Sequence, residues 1–200
     1  MNRSVAFALS VIFHPVFINL LSLVLLLELN PYLEAALSGS ARWFYIMYVF
    51  ITTALIPLFV VVLRKALGFS PSILLERSDD RHIPYIVTSC AYLFGYYLFL
   101  RIGSPAPLTA YMLASASVMV LMLAINFFTK ISAHATSLGG ITGVLIACQS
   151  FTDYDLRWLI VIVLLLSGIA TTARLALDAH TRPQIYSGFG LGLLVMWYIL

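Results

Sequence analysis

The sequence predicts an all-α fold, a polytopic bundle of transmembrane helices with about seven spans, in one domain that covers residues 1–200. Hydrophobic residues make up 62% of the chain, charged residues only 10%, and the mean hydropathy is +1.02. A soluble domain carries about 25% charged residues to cover its surface, so this composition excludes a soluble enzyme. The 11 basic and 8 acidic residues are too few to coat a nucleic-acid duplex. We therefore expect a multi-pass protein of the cell membrane, with lipids and not nucleic acids as partners.

Apolar runs that can cross about 30 Å of hydrocarbon define the spans in order. They are Val5–Leu29, Trp43–Leu63, Ile83–Ile102, Thr109–Phe128, Ala133–Phe151, Leu156–Arg174 and Ile185–Leu200. Each is expected to be helical, because an isolated strand cannot satisfy its backbone hydrogen bonds in lipid. The first run is longer than the apolar core of a signal peptide, about 7–15 residues, and is expected to stay in the mature protein. The count becomes six if the first or the last run does not cross the bilayer.

Two local features of these runs concern helix geometry. The pairs Gly139/Gly143 and Gly188/Gly192 have the four-residue spacing that lets membrane helices approach closely. His14-Pro15 interrupts the first run, and we interpret it as a kink.

Three polar clusters interrupt the apolar sequence, and in a bundle of seven spans all three fall on the same face of the membrane. Their polar members are Glu76, Arg77, Ser78, Asp79, Asp80, Arg81 and His82, then Lys130, Ser132 and His134, and then Arg174, His180 and Gln184. Ionisable residues near or inside a membrane are costly, so they are candidates for function. We expect residues 76–200 to form the core that carries this function.

The chemistry of the clusters suits an anion, because cations outnumber the carboxylates that could neutralise them. Arginine binds phosphate oxygens in a bidentate way. Ser132-Ala133-His134 stands where a helix is expected to begin, and a helix N-terminus offers free N–H groups to an anion. Two histidines in separate segments are what phosphoryl transfer through a phosphohistidine requires: one attacks phosphorus, and the other protonates the leaving oxygen.

The clusters resemble the signature of the type-2 phosphatidic acid phosphatase superfamily, a family of membrane lipid phosphatases. That signature runs Lys-x6-Arg-Pro, then Pro-Ser-Gly-His, then Ser-Arg-x5-His-x3-Asp. The chain has Arg81-His82-Ile83-Pro84, Ile131-Ser132-Ala133-His134 and Ala173-Arg174-x5-His180-x3-Gln184. Leu74 stands at the position of the signature lysine, and Gln184 stands at the position of the aspartate.

The resemblance implies a role for each matching position. His180 would be the nucleophile, and His134 would be the acid for the leaving group. Arg174, Ser132 and Arg81 would hold phosphate oxygens, and Gln184 would orient His180. To these we add Lys130, because its charge can replace that of the missing lysine.

The expected activity is metal-independent hydrolysis of a lipid phosphate or diphosphate, with no cofactor. Phosphatidate, phosphatidylglycerol phosphate and polyprenyl diphosphate all fit, and a transferase that passes the phosphoryl group to another alcohol would use the same residues. The alternative is a catalytically silent relative that binds or moves anionic lipid, which Gln184 and Leu74 favour. A packing subunit without a ligand is the third interpretation. We expect no metal site, since no span carries a His-x3-His or Glu-x2-His pair.

Overall fold

The computed structural model describes residues 1–69 and 78–200, without the side chains of residues 78–80. All regular structure in this part of the chain is helical, and helices account for 83% of it. In order they are α1 (Arg3–Ile12), α2 (Pro15–Leu29), α3 (Pro31–Ala36), α4 (Gly39–Phe50), a π-helical segment (Ile51–Leu55), α5 (Ile56–Ala66), α6 (Ser78–Arg101), α7 (Ala106–Asn126), α8 (Ala133–Gln149), α9 (Arg157–Ala176) and α10 (Arg182–Ile199). The all-helical prediction is confirmed for these residues. Leu74, Glu76 and Arg77 lie outside them.

The number of membrane-crossing helices is four or five by length and composition, counted over the described residues. The four are Gly39–Ala66, Arg81–Arg101, Ala106–Asn126 and Arg157–Ala176, and the bent pair α1–α2 makes a fifth if it is one span. Helix α8 has 17 residues and α10 has 18, and neither is among the four. The chain therefore has the helices of a membrane protein, while the count of seven spans remains a prediction.

The first apolar run folds as two helices, α1 and α2, that meet at His14 with a bend of 40°. Pro15 has no N–H group with which to continue the hydrogen bonds of α1. The N–H of His14 donates to Val11 O over 3.2 Å, and the His14 Nδ1 atom accepts from Val16 N as the N-cap of α2, at 3.4 Å. The bend agrees with the predicted kink, because proline both ends α1 and begins α2.

Helix α8 lies at the centre of the bundle, and α10 is the helix packed most closely against it. Most α8 residues are buried, although the helix carries few large side chains. A Cβ atom on Gly139 would collide with Phe189 O of α10, and one on Gly192 would collide with Thr136 O of α8. The two backbones are therefore in direct contact, as the glycine spacing predicts. This contact brings the beginnings of α8 and α10 together.

Candidate functional site

The polar clusters meet where α6, α8 and α10 begin. The backbone N–H of Ser132 donates to Gln184 O over 3.2 Å, which joins the start of α8 to the start of α10. A guanidinium nitrogen of Arg81, near the start of α6, donates to Ile131 O over 3.4 Å. Hydrogen bonds to the segment before α8 thus connect the first and the third cluster to the second.

A tight turn after α9 carries the chain to His180. The N–H of Ala179 donates to Arg174 O over 3.1 Å, and the N–H of Asp178 donates to Leu175 O over 3.0 Å. These are the two hydrogen bonds of a Schellman motif. Its left-handed position is Asp178, with φ of 54°. The turn therefore fixes the position of His180 relative to Arg174, which lies six positions earlier in the chain.

The His180 ring is held by Gln184. Its Nδ1 atom lies 3.1 Å from Gln184 Oε1, which also accepts from the N–H of Thr181 over 3.2 Å. An amide oxygen can only accept, so His180 Nδ1 carries the proton and donates it. In the neutral ring Nε2 then keeps a lone pair. Thr181 and Gln184 together form a capping box at the start of α10, so one side chain both begins the helix and fixes the histidine tautomer.

Burial keeps His180 neutral. Only 8% of the residue is exposed, and this burial is the main cause that lowers its pKa from 6.5 to about 4. The hydrogen bond to Gln184 acts in the opposite direction, while the charges of Arg81, Arg174 and Lys130 lower the pKa further. At neutral pH the Nε2 lone pair is therefore available beside three cations.

Two arginines, Arg81 and the half-buried Arg174, give the site its charge. Arg81 is 8% exposed, and its positive charge acts on Arg174. Among the residues that the structure describes, the buried Arg174 Nε atom has no hydrogen-bond partner. A buried donor of this kind costs free energy unless a ligand or water satisfies it, so Arg174 Nε marks a position for an acceptor such as a phosphate oxygen.

His134 interacts with α1 and with residues of the third polar cluster. It is half-buried at the start of α8, and its Nε2 atom lies 3.0 Å from Ser10 O of α1. A carbonyl oxygen only accepts, so Nε2 carries the proton and donates it. Arg174 and His180 both act electrostatically on the ring. The nitrogen left for a substrate is therefore Nδ1.

Ser132 and Lys130 have different surroundings. Ser132 is completely buried, and its Oγ atom accepts from the N–H of Ala135 over 3.4 Å as the N-cap of α8. Its predicted contact with phosphate would use the hydroxyl proton, which this cap leaves free. Lys130 is half-buried in the segment before α8, where its charge acts on His180.

The structure adds His14 to these residues. Its ring meets the His134 ring edge to face, with the centroids 5.6 Å apart, and Arg174 acts on it electrostatically. The sequence marks His14 only by a polar residue before proline in an apolar run, so its proximity to His134 could not be foreseen. His82, the remaining histidine, instead stacks on Phe127 with the centroids 4.6 Å apart.

Comparison with known proteins gives no relative: no family model, no curated protein and no solved structure matches this chain. The chemistry of the site therefore rests on the residues described above.

Proposed function

We propose that this protein is a membrane lipid phosphatase that hydrolyses a lipid phosphate or diphosphate through a phosphohistidine, without a metal ion. One observation carries the proposal: His180 donates Nδ1–H to Gln184, which leaves the lone pair on Nε2, and the charges of Arg81, Arg174 and Lys130 act on the ring. Imidazole held in this way is a nucleophile, and the cations match the charge of a phosphate. The resemblance of the three clusters to the type-2 phosphatidic acid phosphatase signature supports the same chemistry.

The reaction would proceed in two steps. His180 Nε2 attacks phosphorus, and the bond from phosphorus to the lipid oxygen breaks as His134 donates a proton from Nδ1 to that oxygen. A bound anion favours the doubly protonated His134 ring that this step requires. Water then attacks phosphorus and gives a proton to His134 Nδ1, the bond from phosphorus to His180 breaks, and phosphate leaves. Arg174, Arg81, Ser132 and Lys130 would hold the phosphate oxygens in both steps.

We also propose that α8 and α10 cross the membrane, which makes seven spans with α1–α2 counted as one. A helix of 17 residues is about 26 Å long, close to the thickness of the hydrocarbon layer. Since α8 is surrounded by α2, α9 and α10, it does not need a lipid-facing surface of high hydropathy. In α10 the polar start Arg182-Pro183-Gln184 belongs to the site. Seven spans give a multi-pass protein of the cell membrane with its site at one surface.

The test is phosphate release from vesicles that carry phosphatidate, phosphatidylglycerol phosphate or polyprenyl diphosphate, with EDTA present. Wild type is expected to release phosphate, and His180→Ala is expected to fall to the rate of vesicles without protein. His82→Ala is the matched control, since the His82 ring stacks on Phe127, and it should keep the wild-type rate. Release that survives His180→Ala would reject the mechanism.

The second candidate is a catalytically silent relative that binds or moves anionic lipid. It is favoured by Gln184, whose neutral amide serves a capping box and cannot stabilise an imidazolium by charge. In the same assay it predicts that neither wild type nor His180→Ala releases phosphate, while both bind vesicles that contain lipid phosphate.

A further inference from the structure

We propose that His14 is a further substrate-binding residue of the site, which donates Nε2–H to an oxygen of the bound phosphate group. The inference rests on the proposed lipid-phosphate site and adds a contact from α2 that the three clusters do not contain. His14 is exposed, and its ring and the His134 ring pack edge to face with the centroids 5.6 Å apart. A phosphate group in contact with His134 Nδ1 is therefore within reach of His14.

The tautomer of His14 is fixed by its own helix. Its Nδ1 atom accepts the N–H of Val16 over 3.4 Å as the N-cap of α2. A nitrogen that accepts carries no proton, so the proton of the neutral ring is on Nε2, at the far side of the ring from the helix. His14 thus offers a donor and no acceptor to the site, which suits an anion.

The kink positions this donor. Pro15 forces the chain out of α1, and because the His14 N–H turns to Val11 O, it does not bond to Ser10 O, its partner in a continued α-helix. The Ser10 carbonyl then accepts from His134 Nε2 over 3.0 Å. One break in the helix therefore orients two histidines: it holds His134 through Ser10, and it sets His14 beside it.

Electrostatics point to an anion between these residues. The charge of Arg174 acts on both His14 and His134, and its own buried Nε atom has no hydrogen-bond partner within the described part of the chain. His14 Nε2–H and the guanidinium of Arg174 therefore both offer donors near the Nδ1 atom of His134.

The experiment measures binding of inorganic orthophosphate and, separately, of dihexanoyl phosphatidate by the full chain in detergent micelles. His14→Ser keeps an N-cap oxygen for Val16 N–H and removes the imidazole, so α2 should still begin at the same place. We expect the dissociation constant of His14→Ser for each ligand to rise about tenfold, as for the loss of one hydrogen bond to a charged oxygen. His82→Ser, the control, should bind both ligands as wild type does.

A second measurement follows phosphate binding in the wild-type protein and uses His14→Ser only to assign a resonance. In wild type with ¹⁵N-labelled histidine, the Nε2 resonance that disappears in His14→Ser should shift when orthophosphate is added, and the His82 resonance should not. Unchanged binding by His14→Ser together with an unmoved His14 resonance would overturn the inference, and Arg174→Ala, if it abolishes binding, would show that the phosphate site itself exists. Wild type that binds neither ligand would instead reject the proposed function.

Discussion

Gln184 serves the fold and the candidate site with the same oxygen. Oε1 accepts the N–H of Thr181, which begins α10, and the Nδ1–H of His180, which fixes the ring. An aspartate at this position could form the same hydrogen bond and would also stabilise a positive ring. Glutamine orients the ring without adding a negative charge. Burial and the nearby cations then lower the pKa of His180 and keep the ring neutral. The residue is suited to hold a neutral nucleophile.

The ionisation of His180 predicts the pH profile of the proposed phosphatase. The folded-state pKa of about 4 lies below the ordinary value of 6.5, so the neutral ring persists as pH falls and is lost only near pH 4. The acidic limb of kcat/KM, which reports the free enzyme, should therefore fall near pH 4 and not near pH 6.5. The measurement is phosphate release from dihexanoyl phosphatidate between pH 3 and pH 8. A limb near pH 6.5 that shifts in Gln184→Glu would contradict this account of His180.

The same pKa shift has a consequence for stability. Between pH 6.5 and about 4 the unfolded chain binds a proton at His180 that the folded chain does not bind. His180 therefore makes the folded state less stable as pH falls through this window, and stability rises with pH within it. A loss of activity near pH 4 must be separated from unfolding by measuring the thermal midpoint of the protein at each pH.

At the residue scale, the sequence could predict those parts of the site that are local in the chain. Arg174, His180 and Gln184 are separated by one helix end, one turn and one capping box, so their spacing carries their geometry. The bond from His134 to Ser10 joins residues 124 positions apart, and no local pattern encodes such a contact. For Ser132, the sequence predicted a helix start, and the structure adds that its hydroxyl caps that helix.

At the scale of helices, the sequence predicts where helices lie better than where their hydrogen-bond pattern is interrupted. The run Leu156–Arg174 corresponds to α9 at Arg157–Ala176, and Ala133–Phe151 corresponds to α8 at Ala133–Gln149. The run Trp43–Leu63 is instead part of Gly39–Ala66, which contains a π-helical segment at Ile51–Leu55. Hydrophobicity sets where a helix is stable in lipid. It contains no term for the hydrogen bond that Pro57 cannot donate, and a missing bond of this kind favours a local rearrangement such as the π segment.

The contact between α8 and α10 predicts a clear difference between two glycines of α10. Gly192→Ala should destabilise the protein by about 1–3 kcal/mol, because its Cβ atom would meet Thr136 O and lie 2.8 Å from Gly140 N. Gly190→Ala is the matched control, since nothing lies within 4 Å of its Cβ position. The measurement is the thermal midpoint of each variant in detergent. Equal midpoints for the two variants would contradict the close packing of α8 on α10.

This packing also predicts an effect on the site. Ser132 N–H donates to Gln184 O at the end of the same interface, so a separation of α8 and α10 would move His134 away from His180. Phosphate release by Gly192→Ala should therefore fall more than the loss of folded protein explains. Gly190→Ala should keep the rate of wild type per folded molecule.

At the scale of the whole molecule, the candidate site depends on which helix ends share a surface. Helices α2, α6, α8 and α10 all begin near the candidate site, so their N-termini add positive dipole ends to the charges of Arg81 and Arg174. For α6, α8 and α10 the sequence predicts this arrangement from the parity of the spans alone, because alternate loops of a polytopic protein lie on the same side. Parity cannot predict how far each residue is buried: His180 is buried, while Arg174 is only half-buried.

The side of the membrane on which each loop lies can be tested by cysteine labelling. In a chain with Cys90→Ser and Cys148→Ala, single cysteines at the loop positions Thr129, Asp153 and Arg182, which are exposed, and at Leu200 should be labelled from alternate sides of sealed vesicles. Seven spans require that Thr129→Cys and Arg182→Cys react on one side and that Asp153→Cys and Leu200→Cys react on the other. If α8 entered and left the membrane on the same side, Asp153→Cys would be labelled from the same side as Thr129→Cys. In that case α8 would no longer be a crossing helix. The candidate site would then include a re-entrant segment, so the labelling pattern decides whether the site is built on a seven-helix bundle.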